Sequence, residues 1–140
     1  MSTTGYEPAT MEEPEVSGSA MGGVLFAATM LTIIGTFQAI MGLVGIIDDN
    51  FYVVTSRYTF DLDSTAWGWI HLIMGILVMS TGLALFGRRV WAGVTAIAIV
   101  SLQALANFFF VPYYPFWSLL VIALDVWVIW ALTRPGAIRP

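Results

Sequence analysis

Four long apolar runs fill most of this chain, over residues 21–47, 66–86, 90–111 and 116–133, with only short polar segments between them. A helix rises 1.5 Å per residue, so about 20 apolar residues cross the roughly 30 Å hydrocarbon core of a bilayer. In hydrocarbon each backbone N–H and C=O must be satisfied inside the protein, which leaves helices or closed barrels. Runs of this length read as helices. The expected fold is an all-α membrane protein, with four transmembrane helices in a compact bundle.

The composition agrees with that reading. The chain has 140 residues, 59% of them hydrophobic and only 10% charged, and it has no lysine. Soluble domains are about 25% charged. The chain has no cysteine, which excludes disulfides, thiolate metal sites, c-type haem attachment and a cysteine nucleophile. The net charge of −4 comes mostly from the N-terminal segment and the first loop, and it argues against nucleic acid as a partner.

Residues 1–20 carry Glu7, Glu12, Glu13 and Glu15 among Pro, Ser, Thr and Gly. Such a segment cannot bury enough apolar surface to order itself, and a solvated acidic tail is expected. It has no basic start, so it does not read as a secretory signal. Residues 21–134 form the expected four-helix domain, and 135–140 a second short tail. Between the first two helices, Phe51–Thr55 and Tyr58–Phe60 flank Ser56 and Arg57. Their β-branched and aromatic content predicts a short β-hairpin in an extracellular loop.

Orientation follows from arginine. With four spans, Arg88, Arg89, Arg134 and Arg139 fall on one side of the membrane and Arg57 on the other. Positive-inside bias puts both termini in the cytoplasm of a plasma-membrane protein.

The first helix carries Ala28, Gly35, Gly42 and Gly45 close to one face, and the second carries Gly68, Gly75 and Gly82. Stripes of small residues let helix backbones approach closely. Polar residues sit among or beside these stripes. By the helical rise, His71 and Asn107 lie roughly 7 Å below the outer helix ends, and Gln38, Gln103 and Asp125 roughly 12–14 Å below. All five therefore fall in the outer half of the expected bundle, contributed by four helices. An ionisable group such as Asp125 must there be neutral, paired or wet.

Two readings of the five stand side by side. In one they are packing glue, with Gln38, Gln103, Asn107 and His71 as candidate hydrogen-bond partners of Asp125. In the other they line an outward-opening polar pocket, with His71 near its mouth and Asp125 at its floor. Both of those groups titrate, so binding there would be linked to protons. One His and one Asp are too few to close a metal site, and no second His is present to complete a bis-histidine haem site. No cofactor is expected. Trp67, Trp69, Tyr113, Tyr114 and Trp117 read as an interfacial aromatic belt or, more sharply, as a rim over a ligand.

No phosphate-binding loop, nucleophile elbow, His-Glu-x-x-His run or dinucleotide fingerprint occurs in the chain. A non-enzymatic role is expected, structural or accessory, with the lipid bilayer and a membrane-protein partner or second copy as its surroundings. The alternative is a proton-linked unit that binds or transports a small solute, lipid or quinone in the outer pocket.

Several motifs together resemble a known family: Phe51-Tyr-Val-Val-Thr55, Tyr58-Thr-Phe60, Ala66-Trp-Gly-Trp-Ile-His71, Ala106-Asn107-Phe, Pro112-Tyr-Tyr-Pro115, Trp117-Ser118 and Ala123-Leu-Asp125-Val. The chain is similar over about residues 23–134 to small four-helix bacterial membrane proteins, known mainly from high-GC Gram-positive bacteria and catalogued as a domain of unknown function. The resemblance implies a four-span fold in the plasma membrane. It implies no activity, and the acidic tail lies outside it.

Overall fold

The computed structural model describes Gly5, residues 15–47 and residues 64–139. Four helices follow in order: α1 (Gly18–Ile47), α2 (Ser64–Phe86), α3 (Val90–Phe110) and α4 (Pro115–Leu132). Each is long and apolar enough to cross a membrane. Among the described residues there is no strand, and the only β pairing is an isolated bridge between Arg89 and Arg139. The hairpin expected around Ser56 and Arg57 lies outside the described residues.

The helix α1 begins three residues before the expected Met21. The Ser17 hydroxyl accepts the Ala20 N–H at 3.3 Å, which satisfies one of the four N–H groups a helix start leaves open. Ala20 is fully buried, so these residues belong to the bundle rather than to a tail. At the other end of the chain, Pro115 opens α4, where its missing N–H costs nothing.

The closest packing joins α1 to α2. A Cβ on Gly42 would stand 2.7 Å from the Gly68 carbonyl oxygen, and one on Gly68 would stand 2.9 Å from the Gly42 oxygen. Gly35 and Gly75 repeat the relation, each 2.8 Å from the other's oxygen, and a Cβ on Gly82 would lie 2.8 Å from the Ala28 oxygen. The contacts recur every seventh residue along both helices in antiparallel order, the repeat that keeps one seam facing its partner. At that separation only glycine fits, and Cα–H groups can contact carbonyl oxygens across the seam. Hydroxyls beside the seam are satisfied within their own helices: Thr32 donates to the Ala28 oxygen at 2.7 Å and Thr81 to the Leu77 oxygen at 2.8 Å.

The pair α3 and α4 packs less closely. It joins α1 and α2 through a core made of Val24, Ala27, Ala28, Leu31, Val78, Leu85, Ala92, Ala96, Val100, Val128, Leu132 and Ala137. Every one of these lies in the half of the bundle that carries both chain ends, the terminal end. The 87–89 turn is at that end too. The backbone of Arg88 there is left-handed, with φ of 56°. That costs an ordinary residue on the order of 1 kcal/mol. The turn is held by the C-terminal segment, which folds back onto it. Arg139 N–H donates to the Arg88 oxygen at 2.8 Å, and Arg88 Nε donates to the Ala137 oxygen at 2.8 Å. Ala137 is fully buried, and Ile138 fills the space that a side chain on Gly93 would occupy. The short tail expected at 135–140 docks as a strap as far as Arg139. Its apolar residues find a partner because Gly93 leaves a hollow.

A glycine-specific seam predicts a contrast between two alanine substitutions. Gly75→Ala would push a methyl into the Ala39 backbone, whereas Gly22→Ala meets nothing within 4 Å. Overpacking costs about 1–3 kcal/mol. Thermal unfolding in detergent should show a lowered midpoint for Gly75→Ala and an unchanged or raised one for Gly22→Ala. Equal midpoints would show that the seam is not closed.

Candidate functional site

The shared core stops at about the level of Leu31, Val78, Val100 and Asp125. Beyond it, towards the end that carries the 111–114 turn, the inward stripes of α1, α2 and α3 continue but lose their cover, while that of α4 stays buried at Ser118. On α1 the stripe runs from buried Leu31 to exposed Ile34 and half-buried Gln38. On α2 it runs from buried Val78 to exposed Met74, half-buried His71 and exposed Trp67. On α3 it runs from buried Ala96 and Val100 to exposed Gln103 and half-buried Asn107. The seam between α1 and α2 persists to Gly42 and Gly68, so the loss of cover falls on the faces that look towards the other hairpin.

The five polar residues singled out from the sequence sit along this boundary, and among the described residues no side-chain hydrogen bond joins those on different helices. His71 Nδ1 lies 3.1 Å from the Trp67 oxygen one turn away, and its ring stacks on Trp67 at 4.2 Å between centroids. Asn107 donates through Nδ2 to the Gln103 oxygen at 2.9 Å, again within its own helix. Gln38 and Gln103 sit on the uncovered parts of their stripes. Asp125 is 6% exposed, and its Oδ2 has no hydrogen-bond partner. The amides and the imidazole therefore do not converge on Asp125, which lies deeper, at the edge of the closed core.

Ser118 joins this set. It is 1% exposed, it lies seven residues before Asp125 on the same stripe of α4, and its Oγ has no partner. The seven-residue spacing was readable in the sequence, but a lone serine in an apolar helix gives little reason to apply it. Most serine and threonine hydroxyls in these helices donate to a carbonyl one turn back, as Thr36, Ser80 and Thr95 do. Ser118 does not. Among the described residues no group of three or more His, Cys, Asp or Glu could hold a metal.

The aromatic residues lie around the same end. Tyr113, Tyr114 and Trp117 are 75%, 66% and 67% exposed, and Phe116 is 93% exposed. Trp67 and Trp69 flank the start of α2 and are also exposed. All of them are exposed, with no contact in the described residues that covers them.

Residues 23–137 match the model of a domain of unknown function, DUF7144. The chain belongs to that family. The match covers α2, α3, α4 and all of α1 from Gly23 onward, and it ends at Ala137, before the docking residues Ile138 and Arg139. No curated protein and no solved structure matches the chain.

The unpaired oxygens predict how α4 responds to substitution. A buried polar atom without a partner carries its desolvation cost uncompensated, about 1–3 kcal/mol. Asp125→Leu and Ser118→Ala remove such atoms and should leave the detergent melting temperature unchanged or raise it. A fall of several degrees in either variant would show that these groups are bonded after all.

Proposed function

We propose that this is a non-enzymatic, multi-pass protein of the bacterial plasma membrane that binds a small amphipathic molecule between its two helix hairpins. The observation that carries the reading is the failure of the polar residues to act as glue. Polar side chains that hold membrane helices together bond across helices. Here His71 and Asn107 bond within their own helices, and Gln38 and Gln103 border an uncovered stripe. Polar groups at membrane depth are costly unless something meets them.

The chemistry of the opening selects its ligand. Amide groups at Gln38, Gln103 and Asn107 both donate and accept, and the imidazole of His71 adds a further donor or acceptor. Exposed apolar side chains lie beside them, including Ile34, Met41 and Met74. A molecule with a carbonyl or hydroxyl head and a hydrocarbon tail fits that lining, with its tail in lipid. A lipid or quinone headgroup is of this class. Asp125 sits below as a group through which a proton could be exchanged with the head, and Ser118 lies in the first turn of α4 at the level of the opening. Arginine asymmetry supports termini in the cytoplasm, and the opening would then face outward.

A short-chain benzoquinone provides the test, because quinones quench tryptophan and Trp67 stacks on His71 at 4.2 Å. Titration into the purified protein should give saturable quenching. The double variant Gln103→Leu, Asn107→Leu should weaken that binding by about tenfold, the loss expected from leaving a polar head unpaired. Linear quenching with no saturation, equal in both proteins, would refute the binding reading.

A further inference from the structure

We propose that the docked C-terminal strap and the 87–89 turn build a surface for the phosphate of an anionic phospholipid, with Arg89 and Arg139 as its ligands. The inference rests on the membrane-spanning reading, and it concerns the end of the bundle opposite the cleft.

The backbone does the placing. Arg89 and Arg139 form an isolated parallel bridge, and the Arg139 N–H donates to the Arg88 oxygen at 2.8 Å. Paired residues in a bridge project their side chains side by side, so two guanidinium groups are anchored next to each other. Like charges directly opposite one another repel. Both side chains are exposed, and among the described residues no carboxylate pairs with either. The strap is held by apolar contacts that do not involve these two charges, since Ala137 is fully buried and Ile138 fills the hollow at Gly93. The protein thus fixes two cations together by other means, and among the described residues neither has a counter-charge.

The other two arginines of this end are engaged elsewhere. Arg88 Nε donates to the Ala137 oxygen, and Arg134 stacks over Trp130 at 4.3 Å. That leaves Arg89 and Arg139 free to bind. A guanidinium presents parallel N–H donors that match two phosphate oxygens. Immediately after Arg89, Val90 and Trp91 are 45% and 49% exposed, giving the pair an apolar border. Tryptophan favours the headgroup level of a bilayer. A phosphate attached to glycerol and acyl chains meets both the charged pair and this border, whereas free phosphate meets only the pair.

The full-length protein in micelles holding equal phosphatidylglycerol and phosphatidylcholine provides the test, with retained lipid counted by native mass spectrometry. Each basic group near the headgroups contributes about fivefold, so two give a preference for phosphatidylglycerol of about 25-fold. In R89Q/R139Q the preference should fall to near unity. In R89K/R139K, which keeps the charge and loses the fork, most of it should remain. Gln103→Leu alters only the cleft, so it should keep the preference whatever becomes of the ligand proposed there. Equal retention of the two lipids by the unaltered protein would overturn the proposal. So would an unchanged preference in R89Q/R139Q, or a Lys variant as deficient as the Gln variant. Displacement of the lipid by an equal concentration of inorganic phosphate would overturn the assignment to lipid.

Discussion

The backbone contact between α1 and α2 sets the terms for the rest of the molecule. Lipid chains are as apolar as leucine, so two membrane helices gain little from burying hydrocarbon against each other. Close packing and weak Cα–H contacts must supply the attraction. Gly35, Gly42, Gly68, Gly75 and Gly82 provide it, because at each position a Cβ would run into the opposite backbone. The seam extends nearly the full length of α2. It makes the first hairpin a stiff unit against which the second must pack. The second hairpin has no such seam, and its hold on the first is confined to small and branched side chains at the terminal end.

That asymmetry accounts for the distribution of polar groups. Where all four helices meet, the stripes carry Ala, Val and Leu, and hydroxyls such as Thr32 and Thr81 turn back onto their own helices. Where the shared core stops, the stripes carry Gln38, His71, Gln103 and Asn107. The strap over Gly93 reinforces the closed end, since it ties the α2–α3 turn to the residues after α4. One end is fastened three ways, and the other is joined within each hairpin. This is the architecture on which the proposed ligand cleft depends.

Much of the fold can be read from one-dimensional pattern. Four apolar runs give four helices within a few residues of their ends, and the seven-residue recurrence of Gly35, Gly42, Gly68, Gly75 and Gly82 marks the seam. Depth in the bilayer is also legible, since it follows from counting residues along a helix. Contact between helices is not, because it depends on the rotation and tilt of each helix as well as on depth. Gln38, Gln103 and Asp125 share a level by counting, yet the Asp125 Oδ2 is buried without a partner. The strap was hidden for a related reason. Ala137 and Ile138 look like the end of a tail until the hollow at Gly93 and the carbonyl of Arg88 give them somewhere to bind.

In the proposed binding mode the bundle is open on the face of Gln103 and closed to water elsewhere along α3. Because the chain has no cysteine, a single Gln103→Cys can be probed in intact cells with a membrane-impermeant thiol reagent. Val94→Cys serves as the control, since Val94 is 63% exposed but lies on the lipid-facing side of the same helix. The account predicts reaction at position 103 from outside the cell and none at position 94. An unreactive position 103, or one that reacts only after the cells are opened, would contradict it.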